Sequence, residues 1–493
     1  MREVLIVGGG TAGWMAACLM ARAWCQVGVK IKLVESPDIG IIGVGEGSTP
    51  QLKMFFDALG IAEADWMPAC DATYKLGIRF NHWSSDPAYS SYFHPFPADL
   101  DADTAKPFLL TAYERRQGLP LAVHPDEWFL NSALAAAGLS PANSELSGYQ
   151  YGYHFDAYKV GQYLSAFAAK LGVEHISAKV VSVNQYENGN LASVQLDDGR
   201  EIAADFFIDS TGFDGLLIQK TLNSPFISFA DNLFNDSAVV LPTPLGDWVA
   251  AQTDATAMSC GWRWQIPLTT RYGNGYVYSS HYLDAEGAEN ELRSSLDMLE
   301  SEVAARHLKM RVGQLQQHWS HNCLAVGLAQ GFIEPLEATA LHLVQTTVEL
   351  FIETVAARGL IDGVLGRLEE DARDQFNQTI RGRFEGVRDY IVCHYQVSSR
   401  DDSDYWRDNA RNAVRSENLQ AVMDAWYLRQ DVTPVLLARD MSQYYSAISW
   451  HCLLAGYGVF PPADQASAAH QHEARHRAHY VQQVIQRAVL GHC

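Results

Sequence analysis

Residues Met1–Trp14, MREVLIVGGGTAGW, contain the pattern that decides the fold. A short apolar run over residues 4–7 predicts a buried parallel strand, and Gly8, Gly10 and Gly13 follow it with the spacing G-x-G-x-x-G. A run of helix-forming residues over 14–21 comes next. In this arrangement the glycines permit a tight turn, close approach of a pyrophosphate and close helix–strand packing, and the helix N-terminus attracts phosphate. The stretch therefore predicts a Rossmann-like dinucleotide-binding turn.

Later segments extend this fold along the chain. Glu35 ends a second apolar run, 22 residues after Gly13, where an acid meets the ribose hydroxyls of a dinucleotide. An apolar strand over 204–208 ends at the small polar turn Asp209–Gly212, and another apolar run over 324–327 precedes a long apolar helix over 341–356. Asn-Gly and Asp-Gly pairs at 188–189 and 198–199 predict hairpins between these segments. We expect three separated strand–helix pieces to build one α/β nucleotide fold.

Composition excludes several classes of partner. The formal charge is −21, from 36 basic and 57 acidic residues, which disfavours nucleic acid and anionic membranes. The apolar runs are too short to span a bilayer, and the first residues lack a signal-peptide pattern, so we expect a cytoplasmic protein. The eight cysteines lie far apart with no C-x-x-C pair, which favours reduced thiols over disulfides or zinc ligands.

Two segments between the strand–helix pieces contain candidate functional residues. The glycine-rich stretch Gly40–Pro50 predicts a loop that covers a flat ligand, with Ser48 or Thr49 capping the next helix. The alternating pattern of Thr73–Phe80 predicts one half-buried strand that carries Lys75, a residue type that usually faces solvent on such a strand.

Histidines and helices mark other parts of the chain. His94 lies in the aromatic cluster Ser91–Phe96, where a packing role is the simpler interpretation. Beyond about residue 365 the pattern is mostly helical and poor in glycine. Four histidines at 470, 472, 476 and 479 include pairs with metal-ligand spacing, but a solvated helical face explains them better, and we predict no metal site.

The stretch Gly261–Pro267, GWRWQIP, places Trp262 and Trp264 two residues apart, on the same face of a predicted strand. Together with the glycine turn, Lys75, the 209–212 turn and the stretch Glu334–Ala340, this stretch resembles the flavin-dependent tryptophan halogenases. The resemblance covers roughly the first 350 residues in order, and W-x-W-x-I-P is its most specific motif. It implies a Rossmann-like FAD-binding fold with interleaved β-sheet segments and an appended, mostly helical substrate region.

The resemblance also implies a reaction. Reduced FAD (FADH2), oxygen and a bromide or chloride ion would make hypohalous acid, which a protein channel carries to Lys75. Lys75 would act either as a hydrogen-bond donor to the reagent or as a covalent haloamine, and its amine would gain reactivity from desolvation among aromatic rings. Glu337 would assist halogen transfer or remove the proton from the aromatic ring. Ala340 stands where the family usually has glycine.

Site residues carried over from the family fall into four groups. The catalytic pair is Lys75 and Glu337. The residues that would bind the cofactor are Gly8, Gly10, Thr11, Ala12, Gly13, Glu35, Gly45, Glu46, Ser48, Val180, Leu328 and Leu341. Backbone N–H groups of Thr339 and Ala340 would hold the halide, and the channel and substrate residues would be His94, Phe96, Trp262, Trp264, Tyr444 and Trp450.

The predicted domains are a FAD-binding halogenase module over 1–360, with FAD segments at about 1–60, 175–215 and 320–360, and a helical region over 361–493 that completes the substrate site. The acidic residue that anchors free tryptophan in the family has no clear match, so an indole-like or other electron-rich aromatic is the expected small substrate. The sequence shows no second dinucleotide motif, so a separate NAD(P)H-dependent flavin reductase is the expected partner. The oligomeric state stays open, a homodimer included.

Two other functions remain open at this stage. A FAD-dependent aromatic hydroxylase shares the cofactor but needs no counterpart of Lys75, and its usual aspartate after the late apolar strand is replaced by Leu328. A non-catalytic FAD-binding protein would keep the same residues for packing alone. Halide-dependent product formation separates all three.

Overall fold

The computed structural model describes residues 1–38, 45–246, 249–357, 359, 369–463 and 468–490. The strands, numbered along the chain, are β1 (Glu3–Val7), β2 (Lys30–Glu35), β3 (Gly45–Gly47), β4 (Thr73–Lys75), β5 (Gly77–Asn81), β6 (Ser91–Pro95), β7 (Gly152–Asp156), β8 (Glu174–Ser177), β9 (Val180–Gln185), β10 (Leu191–Leu196), β11 (Glu201–Ala203), β12 (Phe206–Asp209), β13 (Phe226–Ser228), β14 (Ser237–Thr243), β15 (Thr253–Met258), β16 (Gly261–Pro267), β17 (Tyr272–Tyr278), β18 (Arg306–Lys309), β19 (Gly313–Leu315), β20 (Trp319–Ser320), β21 (Cys323–Ala325) and β22 (Gly331–Phe332). The helices are α1 (Thr11–Trp24), α2 (Gln51–Leu59), α3 (Glu63–Ala69), α4 (Asp101–Arg116), α5 (Leu130–Ala136), α6 (Ala157–Lys170), α7 (Ala285–Ser295), α8 (Ala340–Ala357), α9 (Glu369–Val397), α10 (Asp404–Arg411), α11 (Glu417–Tyr427), α12 (Thr433–Ala438), α13 (Ala447–Gly456) and α14 (Ala468–Leu490).

The chain forms two compact units, and each unit is built from three segments. The first unit comprises Met1–Ala72, Phe155–Ala230 and Met310–Glu385, and the second comprises Thr73–His154, Asp231–Lys309 and Gly386–Cys493. The units therefore alternate along the chain. The functional division near residue 360 stays a prediction.

The first unit contains a six-stranded sheet with the order β20-β21-β12-β1-β2-β8, in which only the edge strand β20 runs antiparallel. Val4, Leu5 and Ile6 in the central strand β1 are fully buried. Such a continuous apolar run is expected of a strand with packed layers on both faces. Helix α1 packs against α6 and α8. The predicted assembly of three separated strand–helix pieces is confirmed, because β1, β12 and β21 lie side by side.

The predicted hairpins are also confirmed. Strand β10 pairs antiparallel with β9 on one side and β11 on the other. Gly189 and Gly199 have φ angles of 85° and 88° in the connecting turns, a conformation that glycine adopts without steric cost.

The second unit contains a seven-stranded sheet with the order β18-β14-β17-β16-β15-β5-β6. The prediction of one strand over Thr73–Phe80 is wrong, because the chain leaves the strand conformation at Leu76. The Leu76 N–H donates to Ala251 O at 2.7 Å, and Phe96 N–H donates to Leu76 O at 2.9 Å. These bonds separate β4, which pairs with β7, from β5, which pairs with β6 and β15.

Two helix starts differ from the sequence expectations. The residue that precedes α2 is Pro50, with no side-chain capping bond, so the predicted caps at Ser48 and Thr49 are wrong. Helix α8 begins one residue before the predicted Leu341. The mostly helical character after residue 365 is confirmed by α9 to α14, whereas residues 40–44 of the glycine-rich loop lie outside the described residues. Within the described residues, no helix is long and apolar enough to cross a membrane.

Candidate active site

The glycine turn after β1 has the geometry of a phosphate-binding turn. Gly8 has φ of 110°, and a Cβ there would lie 2.1 Å from Ser210 O. A Cβ at Gly13 would lie 2.1 Å from Gly8 O, so helix and strand are in close contact there. At Gly10, which precedes α1, a Cβ would meet no atom within 4 Å. The first and third glycines are therefore required by packing, and the second faces open space beside a helix N-terminus, where a pyrophosphate fits.

Glu35 lies at the end of β2, directly above this turn. A Cβ at Gly9 would lie 1.6 Å from Glu35 Oε2. The other carboxylate oxygen, Oε1, is 2.8 Å from Nε2 of His175, whose ring contacts the edge of the Trp14 indole at 5.2 Å. No local sequence pattern connects His175 with Glu35, because 140 residues separate them, so this pair could not be predicted from the sequence.

The turn after β12 is held by a buried carboxylate. Asp209 is fully buried, and its Oδ1 accepts hydrogen bonds from the N–H and hydroxyl of Thr211, at 3.0 and 2.7 Å. Its Oδ2 accepts from the N–H groups of Leu217 and Ile218, both at 2.8 Å. Four donors stabilise the charged form, while burial raises the pKa of this carboxyl group. Asp209 thus fixes this turn, in which the following residue, Ser210, contacts Gly8.

The other predicted cofactor residues also lie in the first unit. Thr11 begins α1 and donates its hydroxyl to Ala157 O at 3.2 Å, and a Cβ on Gly327 would lie 2.7 Å from Ala12. Burial, with a smaller contribution from Asp156, raises the pKa of Glu46 to about 7. The remaining members are buried or half-buried around these strands and turns: Gly45, Ser48, Val180, Leu328 and Leu341.

The predicted halide seat is a helix start. Pro335 begins a 3-10 turn that ends at Glu337 and does not itself start α8. Ala338 then has φ of 54°, a left-handed conformation that redirects the chain into the helix. Thr339 is buried, and its carbonyl accepts from Leu343 N–H at 2.9 Å, so the N–H groups of the first residues have no partner within the helix. Helix N-termini of this kind attract anions.

Lys75 lies in the second unit and is fully buried, which corrects the usual expectation of a solvent-facing lysine. Its Nζ is 5.6 Å from the centroid of the Phe96 ring. Across the strand pair β4–β7, Lys75 lies opposite Gly152, and Thr73 lies opposite the fully buried His154. The pKa of His154 lies well below its ordinary value, first because of burial and second because of the Lys75 charge. Glu337 is buried in the first unit.

Trp262 and Trp264, the predicted channel residues, lie close together on β16. Their ring centroids are 6.1 Å apart, and their exposed fractions are 1% and 6%. Trp264 pairs across the strands with Gly275, where a Cβ would lie 2.1 Å from the indole. The glycine on β17 therefore makes room for the Trp264 ring.

A second aromatic group surrounds Tyr390 on α9. Its ring stacks on Tyr445 with 3.6 Å between centroids, and Trp450 meets it edge-on at 4.9 Å. His94 also contacts Tyr390 edge-on, at 6.2 Å. Tyr444 lies against the backbone of Gly386, where a Cβ would lie 2.2 Å from its ring. Tyr390 and Tyr445 were missed as individual site residues, since a tyrosine in a helix or a loop is usually part of the core.

Comparisons with known proteins agree with this geometry. The sequence profile of the tryptophan halogenase family matches residues 3–473. The 7-chloro-L-tryptophan 6-halogenase KtzR of Kutzneria sp. is 35% identical over 497 residues, covering 94% of this chain and 92% of that protein.

Two solved structures cover nearly the whole chain. The tryptophan halogenase of Shewanella frigidimarina superposes with a TM-score of 0.86 at 30% identity, covering 100% of this chain and 96% of that one. BrvH, a flavin-dependent halogenase of Brevundimonas sp. BAL3, superposes with a TM-score of 0.81 at 32% identity, covering 99% and 97%. With its glycine turn, buried lysine and tryptophan pair, this chain belongs to the tryptophan halogenase family of flavin-dependent halogenases.

Proposed function

We propose that this chain halogenates an indole-like or other electron-rich aromatic molecule, with Lys75 as the residue that delivers the halogen. The observation that carries the proposal is the complete burial of the Lys75 side chain beside the ring of Phe96. Burial of a lysine is costly, because removing an ammonium group from water is unfavourable. A fully buried lysine therefore indicates a functional role. Burial also lowers the proton affinity of an amine and makes it a better nucleophile.

The residues around the glycine turn fit FAD. Gly10 leaves open space that the pyrophosphate would occupy, and the carboxylate of Glu35, at the end of β2, would meet the hydroxyls of the adenosine ribose. When bound there, reduced FAD would supply, together with oxygen, the oxidising equivalent for converting a halide ion into hypohalous acid. The N–H groups of Thr339 and Ala340 hold the halide at the start of α8.

Lys75 then receives the hypohalous acid, either as a hydrogen-bonded reagent or as a haloamine. The paired indoles of Trp262 and Trp264 exclude water along the route and so discourage hydrolysis and hydroxylation. On transfer to a ring carbon, the O–X bond of the hypohalous acid breaks and its hydroxyl leaves as water, or the N–X bond of the haloamine breaks and the nitrogen takes up a proton to restore the Lys75 amine. The halogenated ring carbon then loses its proton, which the carboxylate of Glu337 accepts. This assignment of Glu337 rests on its burial and on its place in the family motif.

The substrate class follows from the charges of the assigned site. Apart from Lys75 and Glu337, which we assign to the reaction itself, the residues that we assign to the aromatic ligand are all aromatic rings: His94, Phe96, Tyr390, Tyr444, Tyr445 and Trp450. Free tryptophan carries an ammonium and a carboxylate group, which need charged or strongly polar partners when they are desolvated. We therefore assign an indole without the amino-acid group as the preferred substrate.

The reduced flavin comes from a separate NAD(P)H-dependent reductase, since the sequence has no second dinucleotide motif. We place this partnership in the cytoplasm, where thiols stay reduced; the seven cysteines that the structure describes are all free thiols.

The test is an assay of the purified chain with FAD, a flavin reductase, NADH and air, in bromide, in chloride and in halide-free buffer. Indole and L-tryptophan are compared at equal concentration, and products are identified by mass spectrometry. Halide-dependent monohalogenated indole, formed faster than halogenated tryptophan, supports the proposal. Addition of an oxygen atom without halide identifies a hydroxylase instead, and FAD binding without turnover of any aromatic identifies a non-catalytic protein.

A further inference from the structure

His154 lies on the strand that pairs with the strand of Lys75, two residues from the position opposite Lys75. It lies on β7 opposite Thr73 of β4, and Thr73 and Lys75 are two residues apart, so all three side chains belong to one face of the strand pair. Gly152, opposite Lys75, has no side chain to occupy that face. Both His154 and Lys75 are fully buried.

The hydrogen bonds of His154 have a determined direction. Its Nδ1 is 3.1 Å from Thr73 Oγ1, and its Nε2 is 3.0 Å from Thr253 Oγ1. The Thr73 hydroxyl donates its one proton to Pro267 O at 2.7 Å, so it can only accept from the histidine. Nδ1 therefore carries the proton, and in the neutral ring Nε2 accepts from the Thr253 hydroxyl.

These hydrogen bonds connect four strands of the second unit, β15, β7, β4 and β16. They run from Thr253 on β15 through His154 to Thr73, and end at Pro267, the last residue of β16. Strand β4 has only three residues and lies at the edge of its sheet, so its ladder supplies few backbone hydrogen bonds. The side-chain bonds therefore add to the restraint on the strand that carries Lys75.

A neutral ring is also required electrostatically. A protonated His154 would be a desolvated charge in a fully buried position, which is strongly unfavourable. The low pKa of His154 agrees with this requirement.

We propose that His154 is a positioning residue for halogen transfer: as the neutral Nδ1–H tautomer it fixes β4 and thereby the direction of the Lys75 amine. The inference rests on the proposed role of Lys75. Displacing a reacting group by about 1 Å lowers the rate about 100-fold. Loss of the hydrogen bonds of His154 should therefore change kcat more than KM.

The first test compares His154→Leu with His154→Gln. Leucine has no hydrogen-bonding group, whereas the glutamine amide can donate to Thr73 and accept from Thr253. We expect His154→Leu to lower kcat for halogenation about tenfold or more, with KM for the aromatic and Kd for FAD changed less than about threefold, and to release hypohalous acid to a diffusing phenol trap. His154→Gln should restore kcat to within about threefold of wild type. Equal kcat for His154→Leu and wild type, or equal loss in both variants, overturns the proposal.

A second pair of variants decides the matter if His154→Leu does not fold. Thr73→Val removes the accepting hydroxyl and keeps the branched shape, and Thr73→Ser keeps the hydroxyl. A lower kcat in Thr73→Val, with recovery in Thr73→Ser, supports the inference. Equal kcat values for Thr73→Val and wild type, or for the two variants, overturn it. Nitrogen NMR of labelled histidine gives an independent readout, since a protonated Nε2 in the neutral ring, or a doubly protonated ring at pH 7, contradicts the assignment.

Lys75→Met separates the two proposals. If Lys75→Met retains halogenation, the proposed role of Lys75 fails, and the role of His154 that rests on it fails as well. If Lys75→Met is inactive while His154→Leu and Thr73→Val match wild type, only the role of His154 fails.

Discussion

Replacing Lys75 with methionine should abolish halogenation and leave the fold intact. Methionine keeps an unbranched apolar chain in the fully buried position and removes only the amine. Because Lys75 acts after the flavin chemistry, the variant should still bind FAD and still consume reduced flavin and oxygen. Its oxidising equivalents should then appear as hydrogen peroxide or free hypohalous acid.

The size of each effect follows from the burial. Replacing a buried charged group by an apolar side chain of similar volume is neutral or stabilising, so the methionine variant should melt at or above the wild-type temperature. Lys75→Ala is the contrasting variant, since it removes three buried methylenes worth about 2.4 kcal/mol at about 0.8 kcal/mol each, and leaves a cavity. For activity, loss of a positioned proton donor or nucleophile should cost about 100-fold or more in kcat, equivalent to about 2.7 kcal/mol.

The assay measures halogenated product by mass spectrometry, peroxide release and FAD binding on the same preparations. The two variants should be equally inactive although only the alanine variant is destabilised, which separates chemistry from folding. Halogenation by Lys75→Met above about a tenth of the wild-type rate would refute the assignment of the amine.

Four further outcomes are expected. Bromination should be faster than chlorination, because bromide is more weakly hydrated, and Ala340→Gly should reduce the difference between the two initial rates. Faster chlorination, both with each halide alone and with the two in competition, would contradict this. Gly10→Ala should change the melting temperature of the FAD-free protein little, since the added Cβ meets no atom within 4 Å, yet weaken FAD binding in a fluorescence titration by about tenfold or more. Glu46 has a pKa raised to about 7 from 4.5, so its contribution to stability is full below about pH 4.5 and lost as the pH rises through about 7; denaturant unfolding of Glu46→Gln should lack that part of the pH dependence. Gly275→Ala should lower the free energy of unfolding by about 1–3 kcal/mol, because its Cβ would lie 2.1 Å from the Trp264 ring, and an unchanged denaturation midpoint would argue against that contact.

The sequence by itself determined the nucleotide fold and the order of its pieces. A strand, a glycine turn and a helix that follow one another in 24 residues are connected by covalent geometry, so their spacing predicts them directly. The hairpin turns at Gly189 and Gly199 were predictable for the same reason, since the positive φ that glycine supplies is a local requirement.

The chemistry of individual side chains was decided by tertiary structure. Lys75 has the local pattern of a solvent-facing residue, and only tertiary packing buries it. His154 became a neutral hydrogen-bonding group because Thr73 and Thr253, 81 and 99 residues away, supply its two partners. Burial and hydrogen-bond direction depend on which distant segments meet, and a periodic pattern within one segment contains no information about that.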